Sequence, residues 1–220
     1  MPAYLRWLFI LLIFALLAVI PLIHFRSVYA HGKRFHEVDP GRLCRCGQLT
    51  AEGFADFVRE HHIRTIVNVQ EDAQDPDVAQ SFTDHSTVKE SELCAKLGVR
   101  YVCIPTDLLP KRADPKLRPN GIDSFLDIMD DPKNQPVLLH CKAGLHRTGI
   151  FSAVYRMEYN GWSKQAALEE VRTLGFGELV CTPDNDYIRE YILTFQPGRR
   201  KQAPAGATAL GNEPTQPPAN

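Results

Sequence analysis

A strand, a loop and the start of a helix follow one another in VLLHCKAGLHRTG, residues 137–149. The apolar residues before His140 are typical of a short buried strand, and Gly144 gives the loop after it the freedom to curl. An amphipathic helix is predicted over about residues 147–158. This order directs backbone N–H groups of the loop and the N-terminus of the helix at one point, which predicts an anion-binding site.

The chain on either side of this stretch predicts alternating strands and helices. Apolar runs indicate further strands at residues 65–69 and 101–104. Helices are predicted from apolar spacing and capping residues at residues 51–61, before Gly98, over Ile122 to Met129, at residues 163–174 and at residues 182–195. Strands separated by helices of this length predict right-handed crossovers. We therefore expect an α/β fold with a central, mainly parallel sheet flanked by helices on both faces.

The composition excludes several classes of protein. The chain has 220 residues, 44% hydrophobic and 23% charged, which excludes a wholly disordered or collagen-like protein. Its net charge of −1 gives no general attraction to nucleic acid, so no nucleic-acid partner is expected. Its six cysteines are too sparse for a disulfide scaffold. The pair Cys44 and Cys46 lacks a second pair of ligands, so we expect neither a metal nor another cofactor.

The N-terminal region is predicted to enter a membrane as a transmembrane helix. Residues 7–23 carry no charge and only Pro21 interrupts them, so this segment is just long enough to span a bilayer. A cleaved signal peptide is the alternative, because residues 28–30 (Val-Tyr-Ala) offer a cleavage site. The cationic residues that follow the segment outnumber those that precede it, which favours a cytoplasmic body.

Three regions are therefore expected along the chain. Residues 1–30 form the membrane anchor or signal peptide, and residues 31–196 form one globular domain. Residues 197–220 are rich in Pro, Ala, Gly, Thr, Gln and Asn and have almost no apolar bulk. We expect this last region to be a disordered tail, since it cannot bury enough apolar surface to offset the entropy of ordering.

The predicted anion site contains residues suited to nucleophilic chemistry. Cys141 lies at its base, where the same partial positive charge favours the thiolate over the thiol. Arg147 follows six residues later, and its planar guanidinium can bind two phosphate oxygens. Thr148 would place its hydroxyl near the sulfur, and His140 would orient the loop through a hydrogen bond. The residues expected to bind phosphate are Lys142, Ala143, Gly144, Leu145, His146, Arg147 and Thr148.

Residues 140–149 resemble the signature of the cysteine-dependent protein tyrosine phosphatase superfamily, which is His-Cys, five residues and then Arg. Residues 41–50, GRLCRCGQLT, are similar to the RLYRSGQPT segment of small dual-specificity-type phosphatases, the atypical plant-and-fungi group and its bacterial relatives. The YNGWS sequence at residues 159–163 also fits that group. The resemblance covers roughly residues 35–195, and it departs at Cys44 and Cys46, where the group has Tyr and Ser.

The resemblance implies a phosphatase that forms a cysteinyl-phosphate on Cys141, while Arg147 and the loop amides stabilise the transition state. It also implies an Asp general acid on a movable loop well before the cysteine. Asp107, 34 residues before Cys141, is the first candidate for this acid, and Asp114, 27 residues before it, is the second.

The substrate class stays open between a phosphorylated protein and an inositol phosphate or phosphoinositide. Lys142 and His146 add positive charge to the loop, which favours a strongly anionic substrate. The alternative is that Lys142 points outward and the substrate is phosphotyrosine. Two other functions are compatible with the loop: a catalytically inactive phosphate-binding module, and an arsenate reductase-like enzyme with resolving cysteines among Cys94, Cys103 and Cys181.

Overall fold

A computed structural model of the chain describes residues 2–26, 32–70, 73–104, 120–176 and 186–199. The helices in this part are α1 Ala3–Phe25, α2 Ala51–Glu60, α3 Glu90–Leu97, α4 Asn120–Asp130, α5 His146–Tyr159, α6 Lys164–Thr173 and α7 Asp186–Thr194. The strands are β1 His36–Asp39, β2 Leu43–Gly47, β3 Thr65–Asn68, β4 Asp77–Ala79, β5 Thr87–Lys89, β6 Arg100–Cys103 and β7 Val137–Cys141. A short 3-10 helix, Pro132–Asn134, precedes β7.

The main sheet has five strands in the order β1-β2-β7-β3-β6. The pairings β2–β7, β7–β3 and β3–β6 are parallel, and only β1 pairs antiparallel, in a hairpin with β2. Strands β4 and β5 form a separate antiparallel pair. The sheet is therefore mixed but mainly parallel, which confirms the predicted α/β class. Strand β7 lies at the centre, and its carboxyl end at Cys141 is held by β2 through the pairing of Cys141 with Gly47.

The buried core lies on both faces of the sheet, because successive side chains of a strand point to opposite faces. Along β7, Leu139 packs in a cluster with apolar residues of α4, α5, α6 and α7. Its neighbour Leu138 packs in a second cluster with residues of α2 and α3, among them Phe54 and Leu93. The two clusters confirm the expectation of helices on both faces.

Local signals in the sequence account for several helix boundaries. The Thr50 hydroxyl accepts a hydrogen bond from a first-turn N–H of α2 at 3.2 Å, and the Ser163 hydroxyl accepts one in α6 at 3.2 Å. Gly98 ends α3 in the left-handed region with a φ of 69°. The predicted start of the last helix at residues 182–185 lies outside the described residues, as do residues 200–220 of the predicted tail.

The helix after Cys141 differs from the prediction of an amphipathic helix. In α5, the consecutive residues 148–155 are all buried, so almost every side of the helix is covered. The reason is its position: it packs against β7 and β2 of the sheet and against α4, α6 and α7. A helix that is enclosed by a sheet and by other helices has no solvent-facing stripe to produce an amphipathic pattern.

The N-terminal helix α1 is long and apolar enough to cross a membrane, as judged by length and composition, and none of its residues is buried. A signal sequence near the N-terminus would meet the same criterion. At its end, the Phe25 ring lies 5.3 Å from the Phe82 ring, and the Arg26 guanidinium lies 3.9 Å from the Glu52 carboxylate.

Candidate active site

The loop after β7, here called the cysteine loop (residues 141–148), connects the central strand to α5. Cys141 is the last residue of β7 and is 4% exposed. The Gly144 N–H donates to the Cys141 sulfur with an N–S distance of 3.2 Å, and the Thr148 hydroxyl oxygen lies 3.9 Å from the sulfur. The sulfur is therefore held by the loop and by the first turn of α5.

Gly144 is the position where the cysteine loop comes closest to the sheet. Its φ is +71°, and a Cβ there would lie 2.5 Å from the nitrogen of Gly47 and 2.7 Å from the carbonyl carbon of Cys46. Any other side chain would overlap the backbone of β2, so the loop can adopt this path only with glycine. This close approach presses the loop against the end of the neighbouring strand.

Three cationic side chains bind successive carbonyl oxygens of the cysteine loop. Lys33 Nζ donates to the carbonyl of residue 142 at 2.8 Å, and Arg34 Nη1 donates to that of residue 143 at 2.7 Å. Arg45 Nη2 donates to the Gly144 carbonyl at 2.7 Å and to the Thr148 hydroxyl at 3.3 Å. Because these carbonyls face the cations, the opposite side of the loop is left for N–H groups directed at the sulfur.

Burial changes the ionisation of the groups around the loop. It lowers the pKa of Lys33, and the neighbouring Arg34 lowers it further. Burial also lowers the pKa of Arg45 to about 10, so the guanidinium is still a cation at neutral pH. In contrast, burial raises the pKa of Cys46 well above its usual value, with a further increase from Cys141. Cys46 is therefore a neutral thiol near the site.

A buried hydrogen-bonded pair lies behind the cysteine loop. His140 Nε2 is 2.6 Å from Glu90 Oε1, and both side chains are fully buried. Asn68 Nδ2 donates to the other carboxylate oxygen at 3.3 Å. An ionised carboxylate can only accept hydrogen bonds, so beside an ionised Glu90 the donor of this pair is His140 Nε2. The sequence predicts a hydrogen bond for His140, and in the structure its partner is Glu90, at the start of α3.

The other predicted site residues lie along the same loop. Lys142 is exposed, Ala143 and Arg147 are partly buried, and Leu145 is buried. The ring of His146 packs edge-on to that of Phe176 at 5.7 Å, and burial lowers its pKa, with further lowering by Arg147 and Arg34.

The positive charge that the sequence predicts for His146 is reduced, because burial and the neighbouring Arg147 and Arg34 lower the pKa of the imidazole. Among the described side chains of the loop, Lys142 and Arg147 are then the main source of positive charge. The candidate acids Asp107 and Asp114, and the possible resolving residue Cys181, lie outside the described residues.

Four residues that contact the loop or its strand were not predicted from the sequence: Lys33, Arg34, Arg45 and Glu90. A signal existed for Arg45, because it is the single charged residue in the strand segment LCRCG, whose five residues are all buried. Within the described ranges, no group of three or more His, Cys, Asp or Glu side chains is arranged to hold a metal ion.

The known proteins that this chain resembles are phosphatases of one family. The model of a DSP-PTPase phosphatase fused to NAD+ kinase matches residues 20–185. The dual specificity protein phosphatase TpbA of Pseudomonas aeruginosa is 43% identical over 80 residues, which are 36% of this chain and 34% of TpbA. The inositol diphosphatase DSP3 of Arabidopsis thaliana is 27% identical over 147 residues, which are 67% of this chain and 64% of DSP3. The chain thus spans about a third of the TpbA length and about two thirds of DSP3.

Solved structures share the fold. The crystal structure of P. aeruginosa TpbA superimposes with a TM-score of 0.52 and 28% identity, covering 71% of this chain and 83% of that chain. The catalytic core of Siw14 superimposes with a TM-score of 0.55 at 17% identity, over 76% of this chain and 88% of that chain, which shows the fold alone. The resemblance noted in the sequence is confirmed: this chain belongs to the family of cysteine-based dual-specificity phosphatases.

Proposed function

We propose that the protein hydrolyses phosphomonoesters through a cysteinyl-phosphate on Cys141. The observation that carries this proposal is the position of the Cys141 sulfur. It lies 3.2 Å from an N–H donor of its own loop, beside the N-terminus of α5. A thiolate in such a place is stabilised by N–H dipoles and by the N-terminus of the helix, and the same groups bind phosphate. Residues 142–148 supply the phosphate-binding loop, and Arg147 binds two of the phosphate oxygens.

The proposed reaction has two steps. In the first, the thiolate attacks phosphorus, an S–P bond forms, and the P–O bond to the alcohol breaks while a carboxylic acid protonates the leaving oxygen. In the second, water attacks phosphorus, the same carboxylate accepts its proton, and the S–P bond breaks to release phosphate and thiolate. Asp107 is proposed as this acid and Asp114 is the second candidate, on the basis of their spacing from Cys141.

Turnover of para-nitrophenyl phosphate by the full chain in maltoside detergent tests the nucleophile. Cys141→Ser should remove turnover, whereas Cys103→Ser, which alters a partly buried thiol on β6, should leave the rate unchanged. A wild-type rate no higher than that of Cys141→Ser would refute the enzyme. If the wild type then still bound a phosphopeptide, the inactive phosphate-binding module would replace it. Formation of arsenite from arsenate with a thiol reductant would instead support the arsenate reductase-like alternative.

The leaving group tests the acid. Asp107→Asn should slow hydrolysis of a substrate with a poor leaving group, such as phenyl phosphate, far more than that of para-nitrophenyl phosphate, because a good leaving group needs less protonation. Asp114→Asn is the matched control, with the same change seven positions away. A larger selective effect at Asp114 would exchange the two assignments.

The substrate is proposed to be a phosphorylated protein or an inositol phosphate or phosphoinositide. TpbA is named a dual specificity protein phosphatase, and its Cys→Ser variant has been crystallised with pTyr. DSP3 and SIW14 are named inositol diphosphatases. The lowered pKa of His146 reduces the positive charge that this residue offers to a multiply phosphorylated ligand. Parallel kcat/KM measurements on a phosphotyrosine peptide, a phosphoinositide and an inositol pyrophosphate separate these classes.

We propose that residues 1–30 anchor the protein in a membrane, that the domain at residues 31–196 is cytoplasmic, and that residues 197–220 are a disordered tail. The exposure of every side chain of α1 supports the anchor, because a long helix with exposed apolar side chains is favoured in a lipid environment. The full-length protein should remain in membranes after carbonate extraction. A soluble form beginning near residue 31 would support the signal-peptide alternative instead.

A further inference from the structure

A cavity of about 310 Å³ lies beside the cysteine loop, between the β1–β2 hairpin and the end of α6. On one side it is lined by three basic residues, Arg34, His36 and Arg45. On the other side it is lined by Thr173, the last residue of α6, and by Leu174 and Gly175, which follow the helix. Arg34 and Arg45 contact the loop through its carbonyl oxygens, so the cavity borders the side of the loop that carries these carbonyls.

Arg45 is the central feature of this cavity. Its side chain is 2% exposed, and its Nη2 donates hydrogen bonds to the Gly144 carbonyl and to the Thr148 hydroxyl. Its Nε and Nη1 are buried and have no acceptor among the described residues. A buried cation with unused donors is costly unless an acceptor reaches it, and an anion meets both needs at once.

The charge around Arg45 is favourable for an anion. Arg34 and His36 add donors, and a neutral histidine can still donate from one ring nitrogen. One carboxylate is near, because Glu170 Oε1 lies 3.7 Å from His36 Nε2. The Glu170 charge is already paired with Arg156, whose Nε and Nη2 donate to it at 2.6 to 3.1 Å. The cavity therefore keeps a net positive charge.

We propose that this cavity is a second anion site that binds a phosphate group through Arg45, with Arg34 and His36 as further donors. It is separate from the phosphate position over Cys141. The ligand would also be linked to the cysteine loop, because one guanidinium would bind the ligand and the loop carbonyl of Gly144 together. The phosphate can be free inorganic phosphate or the phosphate of a small monoester.

The test counts inorganic phosphate bound per chain, by isothermal titration calorimetry on the full chain in maltoside detergent and phosphate-free HEPES buffer. Thr173 is an exposed residue of the cavity lining and lies outside the cysteine loop. Thr173→Glu places a negative charge at the cavity and should weaken binding there at least tenfold. The matched control Thr173→Gln has nearly the same shape without the charge and should bind like the wild type.

The wild type is expected to bind two phosphates, and Arg147→Ala, which removes the guanidinium at the cysteine loop, is expected to bind one. Thr173→Glu should also bind one, and the double variant none. Circular dichroism confirms that each variant is folded. The proposal is overturned if Arg147→Ala alone abolishes all binding, or if Thr173→Glu and Thr173→Gln bind equally.

Two further results identify the source of the phosphate and separate this site from the catalytic proposal. Glycerol phosphate that binds Arg147→Ala as tightly as inorganic phosphate shows that the cavity accepts monoesters, and binding of inorganic phosphate alone shows a site for the free ion. If Arg147→Ala binds one phosphate and the double variant Arg147→Ala/Thr173→Glu binds none, the cavity site is supported. This result is independent of the catalytic proposal, so it would stand even if Cys141→Ser left turnover unchanged.

Discussion

The pair formed by Glu90 and His140 should contribute strongly to the free energy of unfolding. Replacing Glu90 measures this contribution. Both side chains are fully buried, and the Glu90 carboxylate accepts hydrogen bonds from His140 at 2.6 Å and from Asn68 at 3.3 Å. Glu90→Ala removes both acceptors and leaves the two donors buried. Leaving a buried donor without its acceptor costs about 1–3 kcal/mol, so the two donors together should cost about 2–6 kcal/mol. That is a large part of the roughly 5–15 kcal/mol of a typical domain.

Glu90→Gln gives a graded comparison. The amide oxygen can still accept from His140, but its NH2 then faces the donor of Asn68, so one of the two hydrogen bonds is lost. We expect a cost of about 1–3 kcal/mol for this variant. The matched control is Glu92→Ala, an exposed position on the same helix, which should cost less than about 0.5 kcal/mol.

Urea denaturation followed by circular dichroism gives the three free energies. For a slope of about 2 kcal/mol per molar urea, Glu90→Ala should lower the midpoint by about 2 M. The proposed role of the Glu90 carboxylate is refuted if Glu90→Ala is as stable as Glu92→Ala, or if Glu90→Gln is as destabilised as Glu90→Ala. In either case the Glu90 carboxylate would not be the acceptor that stabilises His140 of β7 and Asn68 of β3.

Three other predictions use the same measurement or a simple titration. Gly144→Ala should cost more than about 2 kcal/mol, because its Cβ would lie 2.5 Å from backbone, whereas Gly161→Ala, with a φ of +67° and no neighbour within 4 Å, should cost only about 1 kcal/mol; equal costs would contradict the close approach. His146 should titrate by ring proton NMR with a midpoint below 6.5, and since its folded pKa is depressed, its contribution to stability is present above pH 6.5 and lost as the pH falls through the folded pKa; a midpoint at or above 6.5 would contradict this. Glu170→Gln should cost about 1–3 kcal/mol, because this carboxylate is only 12% exposed and binds an arginine of α5, while Glu169→Gln, 71% exposed, should have almost no effect on unfolding by urea.

Features set by neighbouring residues were predictable from the sequence. The apolar run before His140, the glycine of the loop and the caps Thr50 and Ser163 act within a few residues of their own position. The α/β class followed from the alternation of such segments. The amphipathic prediction for α5 was wrong because its burial depends on α4, α6 and α7, which pack on it from distant parts of the chain.

The contacts that hold the cysteine loop could not be predicted in this way. Lys33, Arg34 and Arg45 bind carbonyls that lie 99 to 109 positions later in the chain, and Glu90 binds a residue 50 positions later. A basic residue after an apolar segment is usually interpreted as a topology signal, and a glutamate at the start of a helix as a solvated charge. Only the three-dimensional position of the loop shows that these charges serve it.

The contact between Lys33 and the loop also limits where the loop can work. Only eight positions separate Phe25, the last residue of α1, from Lys33. A fully extended chain advances at most about 3.6 Å per residue, so Lys33 can lie no more than roughly 29 Å from Phe25. For an anchored protein, catalysis would then be confined to a shallow zone next to the bilayer, where lipid headgroups and juxtamembrane segments of other proteins are within range and distant soluble targets must diffuse to the surface.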